Sequence, residues 1–338
     1  MKNILIIGGT RNMGHLLTQS LIDAGHRVTI LNRGMSEDNL PETVHRLRAD
    51  RTDSQQMKRA LMGKKFDVVV DFVLYRQSEA DTIINLLSGA IEHYIVISTG
   101  QVYLVREGIS RPFTEDSFEG RIQPPPKANT FAYEEWSYGV NKRQAEESLI
   151  KAHQETGFPY TVLRLPMVNS ERDMFRRLYS YIIRLKDGGP ILIPEPPTYP
   201  LRHIYGQDVV RVIEQLINSG QGIGRAYNIS QEETVSIDEF LGILGEHMGI
   251  TPQIVRAKRS SLEANGFLPD CSPFSERWMS ELDNTRSKAE LGVEYTPLYE
   301  YLGNLVRHYT NTKISEPVGY KRRQAELQFA ESIASSEM

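Results

Sequence analysis

The chain has 338 residues, 40% hydrophobic and 24% charged, enough to bury the core of one large domain or two smaller ones. Its net charge of -4 offers no global basic field for non-specific nucleic-acid binding. Cys271 is the only cysteine, which excludes an intrachain disulfide and a multi-cysteine metal site; no stretch approaches membrane-spanning length, and Ile4–Ile7 is too short for a signal-peptide core. A soluble, cytoplasmic protein is expected.

Short β-branched runs alternate with amphipathic stretches along the chain. The predicted strands are Asn3–Ile7, Arg27–Leu31, a weaker His45–Leu47, Asp67–Phe72, Tyr94–Ser98, Tyr160–Leu165 and Ala226–Ile229. Unbroken apolar runs such as "DVVVDF" and "YIVIS" have the pattern of strands buried on both faces. Between them, "HLLTQSLIDAG", Asp53–Met62, Gln77–Leu87 and Tyr138–Thr156 carry helical periodicity, with Gly25 as a stop for the first. Ser236–Met248 adds a helix with Ser236 as N-cap and Glu239 completing a capping box. "GGPILIPEPPTYP" and "RSSLEANGFLPDCSPFSERW" read as long loops.

This order predicts the α/β class, a Rossmann-type doubly wound parallel sheet with a smaller C-terminal substrate domain. Residues 1–165 with about 201–231 should bind a dinucleotide, and 166–200 with 232–312 should hold the substrate. Residues 313–338 form a polar tail, helix-compatible at "KRRQAELQFAESI", that could reach another subunit.

"IIGGTRNMG" stands between the first strand and the first helix. Gly8 permits a tight turn there, Gly14 permits close helix packing, and the amides around Thr10, Arg11, Asn12 and Met13 face a helix N-terminus that favours pyrophosphate. The second strand ends in Asn32 and Arg33, where NAD-preferring proteins place a carboxylate. Arg33 could clamp a 2′-phosphate and Arg11 could add a second cation, so NADP(H) is preferred and NAD(H) remains open. Asp50, after the third strand, is placed to reach an adenine amino group.

"YGVNK" sets Tyr138 and Lys142 four apart, on one face of a helix. A nearby ammonium lowers a phenol's pKa, and such a tyrosine exchanges a proton with an alcohol or carbonyl while hydride moves to or from a nicotinamide. The strand ending "STGQVY" delivers Thr99 as the hydroxyl that orients the substrate oxygen, with Ser98 as its alternate; Ser98 and Gln101 are candidate substrate contacts. Among the arginines that could hold a phosphate or carboxylate, Arg176, Arg177, Arg202 and Arg277, Arg202 is favoured because it precedes "HIYGQD". His203 beside it is a candidate second acid or base.

The segments "GGTRNMG", "LNRG", "ADRTD", "DVVVDF", "VISTGQVY", "YGVNKRQAEE", "LRLP" and "GQDVVRVI" run in an order that resembles an extended or atypical short-chain dehydrogenase/reductase of the NAD-dependent epimerase/dehydratase superfamily. The resemblance implies a catalytic trio of Thr99, Tyr138 and Lys142, and places Pro166 to Val168 near the nicotinamide. It also implies homodimers built through two long helices. Arg11 in place of the middle glycine resembles a branch that includes RNA-handling chloroplast stem-loop-binding proteins. Gly100 and Gln101 stand where 4,6-dehydratases carry an acidic pair, which argues against that reaction. The expected function is an NAD(P)-dependent oxidoreductase acting on a ketone or secondary alcohol of a small molecule, such as a sugar derivative. The alternatives are a nucleotide-sugar epimerase that retains its cofactor and a non-catalytic RNA-binding or cofactor-sensing protein.

Overall fold

Every residue of Val68–Asp71 and of Tyr160–Leu165 is buried, as unbroken apolar strands require. In the computed structural model, which describes residues 1–35, 37–276 and 278–336, the strands are β1 (Asn3–Ile7), β2 (Arg27–Asn32), β3 (His45–Arg48), β4 (Val68–Asp71), β5 (His93–Thr99), β6 (Tyr160–Leu165), β7 (Val168–Asn169), β8 (Ile191–Pro194), β9 (Ile204–Tyr205), β10 (Arg225–Asn228) and β11 (Ile254–Ala257). No helix among the described residues is long and apolar enough to cross a membrane.

The chain divides into two compact units. The first comprises 1–166, 206–230 and 282–294. Its seven-stranded sheet has the order β10-β6-β5-β4-β1-β2-β3, with all pairings parallel. This is a Rossmann-like sheet flanked by helices. Strand order reverses between β1 and β4, and in such folds the crevice outside the carboxyl ends at that point receives ligands. On one face, Leu5, Ile7, Val69 and Val96 pack with Ile83 of helix Gln77–Leu87 and Leu149 of helix Phe131–Thr156.

Helix Phe131–Thr156 begins seven residues before the predicted start at Tyr138. The Thr130 side chain caps it, accepting from the Tyr133 amide at 3.2 Å. Its buried positions include Lys142, Arg143 and Glu146, so an apolar stripe does not report its full length. Residues 282–294, expected with the substrate domain, instead pack in the first unit. Asn284 donates to the Ser230 carbonyl at 2.8 Å, and Ser287 to the Asn228 carbonyl at 2.9 Å.

The second unit comprises 167–205, 231–281 and 295–338. Helices Arg177–Lys186, Ile237–Met248 and Leu298–Asn311 enclose a core that includes Tyr181, Phe240, Leu241 and Leu302. The Ser236–Glu239 capping box forms as expected. "GGPILIPEPPTYP" is more than a loop: β8 lies inside it, fully buried and paired in parallel with β11. The second long stretch likewise contains a short helix, Arg259–Ala264.

The tail folds back on its own unit. In helix Arg323–Ser336, Glu326 pairs with Arg184 at 2.6 Å, with both side chains almost wholly buried. Arg323 pairs with Asp187 at 2.7 Å. Those ion pairs, absent from any apolar pattern, hold the segment that the sequence reads as a polar tail able to reach another subunit.

Candidate functional site

The glycine loop leaves β1 at the point of strand reversal. Gly8 has φ +91°, and a Cβ there would meet the Val73 Cγ1 at 2.9 Å, beyond the end of β4. A Cβ on Gly14 would lie 2.6 Å from the Gly8 carbonyl oxygen and 3.1 Å from the Gly9 Cα. The following helix, Asn12–Asp23, therefore sits directly on the loop, and Thr18 bridges the two by donating to the Gly9 and Gly14 carbonyls at 3.0 and 2.7 Å. Thr10 and Met13 are buried within the loop. Asn12 is left-handed at φ 44°, and Arg11 is extended and exposed. No carboxylate occupies the first turn, which leaves the positive end of the helix dipole to favour an anion.

At the end of β2 the Asn32 side-chain carbonyl accepts from the Gly34 amide at 2.8 Å and from Arg48 of β3. Its amide nitrogen is buried without a hydrogen-bond partner among the described residues. Arg33 is exposed next to it. Arg48 was missed because the third strand was predicted to stop at Leu47, although parallel register sets it opposite Asn32. Asp50 accepts from the Thr52 hydroxyl and amide at 2.7 and 2.9 Å; those bonds, with a smaller effect from Arg33, hold its carboxyl below the usual range. This cradle suits a dinucleotide: it has the close glycine turns, an anion-favouring helix start and an orphaned polar atom beside two arginines.

Thr99 ends β5, its hydroxyl accepts from the Gln101 amide at 3.2 Å, and it lies near enough to the Tyr138 phenol to influence its titration. More than a third of Tyr138 is exposed, yet its hydroxyl lies in tight surroundings, and burial raises its pKa above the ordinary tyrosine value. Tyr75 reinforces that rise and Thr99 opposes it.

Lys142, one turn further along the helix, is 4% exposed and donates to the carbonyls of Leu74 and Ile97, both at 2.7 Å. Burial lowers its pKa to about 8, against the opposing charges of Glu146 and Asp71. The expectation that Lys142 depresses the Tyr138 pKa is therefore corrected. The two residues share a helix face, but the ammonium is committed to backbone carbonyls.

Ser98 is also corrected. Successive strand residues point to opposite faces, and Ser98 turns inward to donate to Glu146. Glu146 pairs with Arg164 at 2.7 Å, and Arg164 donates to the Tyr103 hydroxyl at 2.7 Å, so Ser98 belongs to a buried network and not to a substrate surface. Gln101 is buried too, its amide donating to the Glu135 carboxylate at 2.9 Å and so tying the end of β5 to the helix that carries Tyr138. Neighbouring Trp136 donates to the Gln123 carbonyl at 2.9 Å.

Two further features escaped the sequence. Tyr75 packs its ring 6.3 Å from that of Tyr138, and the Lys142 ammonium lies 5.4 Å from the Tyr75 ring centroid. The loop carrying Tyr75 is anchored by Asp71, which pairs with Arg51 and accepts from Tyr94 at 2.7 Å, and by Glu79, which takes the Tyr75 amide at 2.8 Å. A charged pair inside an apolar run has no periodic signal; the aspartate in "DVVVDF" was its only trace.

Pro166 closes the first unit after β6, whereas Val168 and Arg202 belong to the second. Val168 pairs with Ile204, and Arg202 donates to the Gln231 carbonyl at 2.9 Å. Arg176 donates to the Glu316 carbonyl and Arg177 pairs with Asp173, while Arg277 lies outside the described residues. His203 is 1% exposed, packed edge-on to Phe240 and Phe274, with its pKa lowered by burial to about 3. That setting marks a core histidine and not an acid or base at neutral pH.

The chloroplast stem-loop binding protein of 41 kDa b from Arabidopsis thaliana is 27% identical over 250 residues, covering 70% of this chain and 61% of that protein. The 2'-dehydrokanamycin reductase of Streptomyces kanamyceticus is 26% identical over 165 residues, covering 49% of this chain and 42% of that protein. The match thus spans less than two thirds of either curated relative. In fold, the chain resembles UDP-glucose 4-epimerase from Thermotoga maritima with a TM-score of 0.71 at 20% identity, over 91% of this chain and 98% of that structure. The sequence model of one family matches residues 4–230, a span that holds the glycine loop, β5 and the Tyr138–Lys142 helix. With that match over most of its length, the chain belongs to the NAD dependent epimerase/dehydratase family.

Proposed function

We propose that this enzyme uses NADP(H) to move a hydride between the nicotinamide and a ketone or secondary alcohol of a small molecule, with a sugar derivative as the favoured class. The observation that carries the reading is the placement of Thr99 at the carboxyl edge of β5 with its hydroxyl near enough to the Tyr138 phenol to act on it, one helical turn from buried Lys142. The likeness to 2'-dehydrokanamycin reductase supports carbonyl reduction.

Gly8 and Gly14, with the amides of Thr10 to Met13, would hold the pyrophosphate. Asn32, Arg33 and Arg48 would face the adenosine ribose, where arginines suit a 2′-phosphate that a carboxylate would repel. Asp50, Pro166 and Val168 remain cofactor candidates, and Gln101 and Arg202 remain substrate candidates. When bound, the nicotinamide supplies or takes up the hydride. Tyr138 holds the exchangeable proton on its phenol oxygen, and Thr99 orients the substrate oxygen toward it. That phenol is protonated near neutral pH, as an ordinary tyrosine is, so it can donate its proton to a carbonyl oxygen as hydride arrives. For Lys142 to support the phenolate left behind, its ammonium must exchange one of the carbonyls of Leu74 and Ile97.

The second reading is a nucleotide-sugar epimerase with retained cofactor, supported by the fold likeness to UDP-glucose 4-epimerase. Calorimetric titration of the cofactor-free protein with NADPH and NADH tests the cofactor assignment: tighter NADPH binding is expected. Preference for NADH, or cofactor that co-purifies and never leaves, moves the weight to the epimerase. Binding of neither removes the oxidoreductase reading and brings forward the RNA binding named in the Arabidopsis relative. With a panel of carbonyl substrates, Tyr138→Phe should abolish turnover; unchanged activity would sink the acid–base assignment.

A further inference from the structure

A basic recess opens at the amino-terminal end of the sheet. Asn3 lies opposite Arg27 at the starts of β1 and β2, and Thr29 lies opposite His45 across β2 and β3. Strand alternation places Arg27, Thr29, His45 and Leu47 on one face, and the turn bearing Lys64, Lys65 and Phe66 completes a cavity of about 260 Å³ with Asn3 and Arg46. The five residues of β1 set it roughly 17 Å from the glycine loop.

The chemistry of the lining is one-sided. Arg46 is neutralised by Asp38 at 2.9 Å and donates to the Val44 and Leu40 carbonyls. Arg27, Lys64 and Lys65 make no ion pair or side-chain hydrogen bond among the described residues, and no carboxylate lines the cavity. The neighbouring Asp67 carboxylate is engaged by the Asn3 amide at 2.7 Å. Thr29 is only 6% exposed, yet its hydroxyl has no hydrogen-bond partner among the described residues. The Thr29 hydroxyl therefore opens onto the recess with its hydrogen-bonding capacity free, and clustered cations repel. A bound oxyanion relieves that repulsion and can take the hydroxyl's hydrogen bond, while Leu47 and the mostly buried Phe66 offer an apolar flank for the rest of a ligand.

We propose that this recess binds a phosphate-bearing small molecule of about mononucleotide size, at a site separate from the dinucleotide cradle. Its volume lies just below the usual range for small-molecule pockets, which begins at about 300 Å³, and that is too small for a dinucleotide. Arg27, Lys64 and Lys65 would take the phosphate, Thr29 would add a hydrogen bond, and Leu47 and Phe66 would flank the apolar part. The inference does not depend on the proposed function.

The test is calorimetric titration of the full chain with AMP and with inorganic phosphate, in the presence of saturating NADPH so that the cradle is blocked. If NADPH does not bind, that outcome bears on the cofactor reading alone, and the titrations are run without it. AMP should bind, at least tenfold more weakly in Lys64→Ala/Lys65→Ala and several-fold more weakly in Thr29→Val, with NADPH affinity and melting temperature unchanged. Inorganic phosphate binding through the same residues would identify free phosphate as a source of the group; binding of AMP alone would show that the nucleoside is needed. No AMP binding, or binding indifferent to both variants, overturns the site. So does a short single-stranded RNA that binds far more tightly than AMP through the same lysines, since the recess would then be part of a nucleic-acid surface.

Discussion

Arg51 grips Asp71 through one guanidinium nitrogen, 2.7 and 2.6 Å from the two carboxylate oxygens, with both side chains buried. This pair fixes the loop after β4 that sets the Leu74 carbonyl under Lys142 and the Tyr75 ring against Tyr138. Asp71→Ala leaves the buried Arg51 guanidinium with Glu79 alone, 3.4 Å away, and should cost up to about 3–5 kcal/mol of stability. Urea unfolding measures it; a loss below about 1 kcal/mol would show that the cluster behaves as a surface pair.

Gly14→Ala tests the closeness of helix and loop. The backbone there is helical, so alanine strains nothing locally, and the added methyl must displace the Gly8 carbonyl 2.6 Å away. Dinucleotide affinity should fall at least about tenfold, or 1.4 kcal/mol, while the far-ultraviolet dichroism stays native. Retained affinity would mean that the loop yields freely.

Arg48→Ala and Arg33→Ala separate the two nicotinamide cofactors. Each should weaken NADPH by about tenfold, the order of one charge-assisted hydrogen bond, and leave NADH nearly unchanged. Arg48→Ala also frees the Asn32 carbonyl, so equal losses for both cofactors would assign Arg48 to holding Asn32 in place.

Ser98 and Thr99 are adjacent and face opposite ways. Thr99→Ala should lower turnover sharply at little cost in stability. Ser98→Ala removes a hydroxyl from the Glu146–Arg164 network and should cost about 1–3 kcal/mol without a large change in kcat. The reverse pattern would exchange their roles.

Lys142 links stability to pH. Its pKa falls from 10.5 to about 8 because the ammonium is buried. Between those values the unfolded chain holds a proton that the folded chain has released, so stability rises with pH across the window. The burden on the folded state below pH 8 is roughly 3 kcal/mol. Urea unfolding from pH 7 to 10.5 should show that rise, and Lys142→Met should flatten it.

The sequence by itself determined the order of strands and helices, the parallel sheet, the glycine turn and the Tyr138–Lys142 spacing. Each of these is written locally: strand burial in apolar runs, helix faces in periodicity, the turn in glycines whose φ or close contacts admit no side chain. The start of helix Phe131–Thr156 was less legible, because polar Lys142, Arg143 and Glu146 occupy its buried face.

Only the tertiary structure decided the polar interior and the traffic of charges within it. Arg51 with Asp71 and Arg184 with Glu326 join residues 20 and 142 apart in the chain, and no local pattern marks a charge that will be buried against a distant partner. The same physics reassigned Ser98 to a network beneath the sheet and His203 to an aromatic core. It also turned the Lys142 ammonium toward two carbonyls, because a buried donor must be satisfied by whatever acceptors the fold brings within reach, and chain spacing cannot say which those are.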